Sequence, residues 1–426
     1  MIPKDSSKNN IFDVAVVGAG PAGLMAAARA AEFGARVVLL EKNDGAGKKL
    51  LLTGNGRCNL ANAEFDLRKL VAHYGKNGDF LFHAFSVFGP KETMSFFEGL
   101  GVRIKTEEAG RVFPKSDRSA DVLKALMDYA EENKVAIHYS SRVAGIDRQG
   151  EAIDKLVLDG GNTVEAKNYI FCTGGRSYPS TGSAGDGFEW VKSLGHNVVQ
   201  PSPALVPVAV RDEWVKELQG TVLKNVGVNV YQNNKKIFSR EGDCLFTHFG
   251  LSGPAIINMS NRIGELLKKG GVKIVIDLNP GLDLSKLEKA IQDNFQRNPK
   301  RSLANCLEIF APRRLVFAII RSARLDPDSR AGAATREQRQ VLAKLLNKLE
   351  ITAERLLGFD EAMVTSGGIS LKEIDGKTMR SKIISNLFFA GEMIDIDGET
   401  GGFNLQNCWS TGRLAGEGAA EGLTNR

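Results

Sequence analysis

Val14-Ala-Val-Val-Gly18-Ala19-Gly20-Pro21-Ala22-Gly23-Leu-Met25 is a short apolar run that meets a Gly-x-Gly-x-x-Gly turn and continues into an alanine-rich segment. The residue types predict a dinucleotide-binding turn. Gly18 lets the chain leave a strand sharply, Gly20 has no side chain to keep the backbone from a pyrophosphate, and Gly23 lets the following helix lie close to the sheet. Pro21 falls at the first helical position, where its missing N–H costs nothing, and the helix N-terminus offers free N–H groups to phosphate. Such a turn is common by itself, so its surroundings decide. Ile11 to Val17 reads as a strand, Pro21 to Phe33 as a helix stopped by Gly34, and Arg36 to Leu40 as a second strand ending in Glu41. Glu41 stands where a carboxylate can accept hydrogen bonds from ribose hydroxyls.

The stretch that follows, Lys42 to Asn59, brackets Lys49 and a short apolar run between two clusters of small residues, the second being Thr53-Gly54-Asn-Gly56-Arg57-Cys58-Asn59. Gly54 and Gly56 are expected to permit close approach to a second part of the ligand, with Lys42, Lys49 and Arg57 available to phosphate or an electron-rich ring. From Asp79 to Leu100 buried helices are expected, and Ser119 is expected to cap a helix running to Asn133. Four strand-like pieces then run from Val135 to Ala166 and place Val143 where a strand backbone meets an adenine ring. A separate apolar strand, Tyr169 to Thr173, ends in Gly174-Gly175 and leads to a helix capped by Asp186.

Around Gln200-Pro-Ser-Pro203 the pattern changes. Residues 199–280 alternate like an antiparallel sheet or small barrel, and residues 281–363 are mainly helical. Nucleotide-type signals resume at Val364-Thr-Ser-Gly-Gly, Ala390-Gly391-Glu392 and Gly401-Gly402-Phe403-Asn404-Leu405-Gln406. The expected plan is therefore α/β, a discontinuous Rossmann-like nucleotide-binding domain formed by 1–198 and 364–426, interrupted by an insert at 199–363 with a β-rich and a helical subdomain. Glu392 would bond a ribityl or bridging hydroxyl, while N–H groups from Gly402 to Leu405 stabilise charge on a flavin's pyrimidine side.

With 426 residues, 42% hydrophobic and 25% charged, the composition is that of a soluble globular protein. The polar start, Met1 to Asn10, leaves no apolar segment for a signal peptide, and no run reaches the length of a membrane span. Five scattered cysteines without C-x-x-C spacing fit reduced thiols in a cytoplasm and argue against a metal site. The net charge of +6 is modest and spread, so no nucleic-acid partner is expected. Cys58 beside Arg57 is a candidate redox thiol. His248, in Thr247-His-Phe-Gly-Leu-Ser-Gly-Pro254, is a candidate acid or base. His73, His83, His138 and His196 have no such context, and Ser252 is expected to cap a helix rather than react.

Together Gly18-Ala-Gly-Pro-Ala-Gly23, Thr53 to Asn59, Arg111-Val-Phe-Pro114, Thr173-Gly-Gly175, Thr247 to Pro254, and Phe389-Ala-Gly-Glu392 with Thr400 to Gln406 carry a resemblance to the YhiN/BaiN family of flavoproteins, the aminoacetone-oxidase-like FAD enzymes. The resemblance covers nearly the whole chain after the first ten residues. It implies a two-part, glutathione-reductase-like FAD domain with a family-specific insert. Carried over, Gly18 to Gly23 hold the pyrophosphate, Glu41 the ribose, Thr53 to Asn59 the flavin side, and Gly391, Glu392 and Gly402 to Asn404 complete the site. The expected activity is hydride transfer between flavin N5 and an unsaturated carbonyl or amine, with NAD(P)H as a diffusible donor. Two alternatives are a flavin-dependent RNA-modifying protein and a flavin-binding protein without turnover. The RNA alternative requires a basic stripe with exposed aromatics on the insert. Its candidates, Lys268 to Lys273 and Lys300 to Arg314, fit solvated helix faces better.

Overall fold

A parallel sheet carries the glycine turn. In the computed structural model, which describes residues 11–421 and 423 and so leaves the polar segment Met1 to Asn10 outside, Phe12–Val17 pairs with Val37–Leu40 on one side and with Thr163–Phe171 on the other. Ala136–His138 extends the sheet beyond Val37–Leu40, and Leu387–Phe389 joins Thr163–Phe171 in parallel. Val14 to Val17 and Val37 to Leu40 are buried, as continuous apolar runs in a sheet covered on both faces must be. The helix Pro21–Glu32 covers one face, and its alanines let the terminal helix Phe403–Ala420 lie against it, where Gly412 and Gly416 meet the backbone of Ala22 and Ala26.

Thr163–Phe171 is one strand, not the two expected. Its first half pairs antiparallel with Ala152–Leu158, and that strand pairs with Val143–Gln149. Tyr169 is the reason. Its buried hydroxyl donates to Asp154 O at 2.8 Å and accepts Ala166 N at 2.9 Å, holding the intervening Lys167 and Asn168 extended.

The chain divides into two compact units, Met1–Ser202 with Met363–Arg426, and Pro203–Ala362. The second is built on a closed barrel in the order Val208–Val210, Gly250–Ser252, Lys235–Phe246, Val222–Gln232, Val272–Asp277 and Leu349–Leu356. Val226, Val228, Val230, Ile274 and Ile276 point inward by strand alternation and are buried. Between the last two strands run the helices Leu284–Arg297, Leu303–Leu307, Arg313–Ser322 and Arg336–Asn347, whose Leu287, Ile291, Phe295, Leu315, Ile319, Leu342 and Leu346 share the barrel's core. Leu349–Leu356 is thus a barrel strand inside the span expected to be helical. Among the described residues, no helix is long and apolar enough to cross a membrane, and no group of His, Cys, Asp and Glu is placed to hold a metal ion.

Candidate functional site

The carboxyl ends of the parallel strands open into a cleft of about 1290 Å³, counting its mouth, and every residue lining it belongs to the first unit. The three glycines of the turn do different things. A Cβ on Gly23 would stand 1.8 Å from Gly18 O, so helix and strand touch there, whereas a Cβ on Gly20 would meet no protein atom within 4 Å and faces open space. Gly20 thus leaves room for something that is not protein.

Glu41 directly follows the second strand, Val37–Leu40, and is buried on the cleft wall. Its Oε2 accepts Ala19 N at 2.8 Å, and its Oε1 accepts Asn43 N at 2.8 Å and Asn43 Nδ2 at 2.7 Å. The carboxylate therefore locks the turn to the loop as well as facing the cleft, and Oε2, which accepts one hydrogen bond to the two at Oε1, keeps lone-pair capacity for a hydroxyl. Lys42 is held by Asp186 at 2.8 Å. Asp186 is not the helix cap expected of it: Gly185 occupies that position and makes no side-chain cap, and the Asp186 carboxylate is taken by Lys42. Ser119 likewise sits inside its helix, with Oγ donating to Leu51 O at 2.9 Å.

The loop Thr53 to Asn59 is built for its own turn. Gly54, Asn55, Gly56 and Cys58 all have positive φ, and Cys58 N donates to Thr53 O at 2.9 Å to close it. A Cβ on Gly54 would meet Asn59 N at 2.7 Å, so its glycine is demanded by the loop. Arg57 turns to Glu107 and to Asp117 at 2.7 Å and lies 4.1 Å over the Phe113 ring. Cys58 is wholly buried, and burial pushes its thiol up to about 12, so at neutral pH it is a thiol and not the thiolate that redox chemistry requires. Asn59, with its amide oriented to satisfy its neighbours, donates to Ala61 O and Val112 O and accepts Gly402 N at 3.1 Å. The loop's last residue thereby fixes the start of the terminal helix, which Trp409 Nε1 also ties to Leu60 O at 2.8 Å.

On the far wall Glu392 organises three segments. Its Oε2 meets Lys49 Nζ at 2.6 Å, and its Oε1 accepts Ser177 Oγ at 2.8 Å and Thr365 N at 2.7 Å. Lys49 also donates to Ser177 Oγ. Beside this pair the Cys408 thiol is pushed up to about 12 by burial, with Glu392 adding to the effect and Lys49 opposing it. Asn404 closes the preceding loop, its amide bonding Gly398 N and O at 2.8 Å each.

Of the residues singled out from the sequence, Gly18 to Ala22, Glu41, Lys42, Lys49, Thr53, Val143, Thr173, Gly174, Glu392, Asn404 and Leu405 line the cleft. Gly23, Gly54, Gly56, Arg57, Cys58, Asn59, Gly175, Gly391, Gly402 and Phe403 do not, and most of these pack behind it. His248 is exposed, its ring against Phe249 with centroids 4.7 Å apart, in the barrel turn after Lys235–Phe246. Ser252 ends a strand, and Gly253 takes the cap position before Pro254–Ile257, so the expected Ser252 cap is not made. Asn43, Asn407 and Cys408 line the cleft and were missed. The signal for the last two was polar residues within the first turns of an otherwise apolar helix.

These residues fit FAD. Gly20 leaves backbone bare, the helix Pro21–Glu32 presents its N-terminus, and Asn407, 2% exposed on the cleft wall, carries an amide oxygen with no hydrogen-bond partner among the described residues. A hydroxyl or N–H of the cofactor would satisfy it.

Comparison with known proteins agrees with this plan. Residues 12–418 match the family model of the HI0933-like protein Rossmann domain. The 3-dehydro-bile acid delta(4,6)-reductase of Clostridium scindens is 30% identical over 411 residues, covering 96% of this chain and 99% of its own. The ribosomal RNA dihydrouridine synthase of Escherichia coli is 30% identical over 406 residues, covering 94% and 96%. In fold, the chain is similar to 3-ketosteroid delta1-dehydrogenase of Sterolibacterium denitrificans, with TM-score 0.54 at 13% identity, over 97% of this chain and 100% of that one.

Proposed function

The chain belongs to the HI0933-like Rossmann-domain family and is an FAD-dependent oxidoreductase, and from that premise we propose that it reduces a carbon–carbon double bond conjugated to a carbonyl, with NAD(P)H as the donor. One observation carries this reading. Two relatives that match nearly end to end act on different molecules, a keto bile acid with double bonds at positions 4 and 6 and a uridine in ribosomal RNA, yet both electrophiles are alkenes polarised by a carbonyl. A chain equally similar to both shares the chemistry before it shares the substrate.

Bound FAD supplies the hydride. The protein binds its phosphates at the first helix and holds the cleft wall rigid through the Lys49–Glu392–Ser177 cluster. With Cys58 and Cys408 held as thiols, no cysteine of the pair competes as a redox centre. Addition across the alkene also needs a proton, and we assign it to His248, the exposed imidazole of the glycine-flanked turn after Lys235–Phe246.

The test is anaerobic. NADH or NADPH should bleach the flavin's visible absorption, and a cyclic enone or a uracil nucleotide should restore it without oxygen. Failure of both nicotinamides to bleach the flavin removes the donor, and reoxidation by oxygen alone removes the alkene-reductase reading. His248→Gln should slow the alkene-dependent step by about 10²-fold or more while leaving bleaching by the nicotinamide intact. Equal rates would remove His248 from the chemistry.

A further inference from the structure

The charge of this protein is unevenly held. Residues 203–362 contain 25 Lys and Arg against 18 Asp and Glu, and the rest of the chain contains 31 against 32, so the whole excess lies on the barrel unit. Within it, residues 281–349 alone contain 14 basic against 7 acidic side chains.

The barrel's outer face adds geometry to that excess. Tyr231 stands opposite Lys236 on one neighbouring strand and opposite Lys273 on the other. Residues directly opposite share a face, so the three side chains form one row, an aromatic between two cations, outside the barrel whose interior takes the adjacent Val230 and Val272. Tyr231, Lys273 and Lys348 line an open cleft of about 920 Å³ on this face. Glu350 is the acidic residue in that lining and is already bonded to Lys273 at 3.0 Å. Lys236 and Lys348 are exposed and have no ion-pair partner among the described residues.

We propose that this row, Lys236–Tyr231–Lys273 with Lys348, is a binding surface for single-stranded RNA, in which a base stacks on Tyr231 and the lysines track the flanking phosphates. A sugar-phosphate strand is the occupant that uses both features at once. The lysines neutralise its backbone, and an unstacked base supplies the flat partner that a half-buried tyrosine between cations offers. The surface follows from charge and register. The choice of RNA, whose uracil is a carbonyl-conjugated alkene, rests on the proposed function and names its substrate class. The RNA alternative calls for a basic stripe with aromatics on the insert, and the row supplies three lysines around one half-buried aromatic, with Lys273, from the stretch Lys268 to Lys273, on the strand Val272–Asp277 rather than on a helix face.

The experiment uses the FAD-loaded full chain and a fluorescein-labelled, uridine-rich 12-mer, with binding followed by anisotropy across a salt series. Binding should weaken with salt, and Tyr231→Ala should cost roughly tenfold while Tyr231→Phe costs little. Lys236→Gln with Lys273→Gln should reduce the slope of log K against log salt by about 1.4. Heparin, a polyanion without bases, should bind Tyr231→Ala as it binds the wild type. Unchanged flavin absorbance and unfolding midpoint certify the fold of each variant. No RNA binding at low salt, wild-type affinity in all variants, or equal loss of RNA and heparin in Tyr231→Ala overturns the surface. If the row binds RNA as stated but neither uracil nor enone reoxidises the reduced flavin, the surface stands and the alkene-reductase reading fails. An enone that reoxidises the flavin alongside an oligonucleotide that does not bind has the opposite meaning.

Discussion

Gly20 and Gly23 sit three residues apart in sequence and serve different purposes. Gly23→Ala forces a methyl to within 1.8 Å of Gly18 O, and the clash is with backbone that cannot yield, so the fold should lose upwards of about 2 kcal/mol whether or not FAD is present. Gly20→Ala meets nothing within 4 Å, so the apoprotein should unfold at nearly the wild-type temperature while FAD retention falls sharply. Measuring FAD content and apoprotein melting for both separates a ligand glycine from a packing glycine, and a stable, FAD-replete Gly20→Ala would place the cofactor elsewhere. Cys58 is the second residue-scale case. The sequence sets it beside Arg57, which suggests an activated thiolate, but Arg57 turns to Glu107 and Asp117 while Cys58 turns into the core. Adjacent residues in a chain with alternating φ need not share an environment, and no motif reveals this. Cys58→Ala should cost about 1–2 kcal/mol through the cavity it leaves and should not alter the rate of flavin bleaching by NAD(P)H. A large drop in that rate at unchanged stability would restore the thiol to the chemistry.

At the level of elements, much of the nucleotide-binding half was legible because each piece carries its own local physics: an apolar run for the buried strand, Pro21 at a helix start, Glu41 at the next strand's end. What was not legible depended on partners distant in sequence. Asp186 and Ser119 have cap-forming side chains at plausible positions, but Lys42 and Leu51 O, far away in the chain, claim them. The segment from Gly195 to Ser385 shows the same dependence and makes a testable switch. His196 is buried, with Nδ1 3.1 Å from Glu373 Oε2 and Nε2 3.0 Å from Ser381 Oγ. Ser381 Oγ already accepts Ile383 N and Ile384 N, so its proton goes to Nε2 and the imidazole is neutral, donating from Nδ1 to Glu373. Burial holds His196 below its ordinary 6.5, with Glu373 opposing. A depressed value means the unfolded chain binds the proton first on acidification, so this contribution is intact above about pH 6.5 and is lost as pH falls through the folded value. Unfolding midpoints should decline from pH 7 to pH 5, and His196→Gln should flatten that decline. An equal slope in the variant would assign the acid sensitivity to other groups.

For the molecule as a whole, the two units carry separate cores. One runs through the parallel sheet and the terminal helix, and the other fills the barrel and its four helices. The cleft whose residues fit FAD is lined by the first unit alone, although two far-apart stretches of chain build that unit. This explains why the cofactor was easier to read from sequence than the substrate. Cofactor recognition is written in glycine turns with fixed geometry, whereas the insert's contribution lies in which side chains share a barrel face, and register is invisible until strands pair. It also separates the energetics. A ligand that binds only the folded form stabilises what it touches by about 2.7 kcal/mol at a hundredfold excess over its Kd. Saturating FAD should therefore raise one calorimetric transition, that of Met1–Ser202 with Met363–Arg426, and leave a second, that of Pro203–Ala362, near its apoprotein temperature. The barrel-unit transition should instead respond to salt, because a unit that holds 25 basic against 18 acidic side chains is relieved of self-repulsion by screening. A single transition that moves as one with FAD would show that the two cores unfold cooperatively, and it would make the insert a structural dependant of the flavin site rather than an independent platform for substrate.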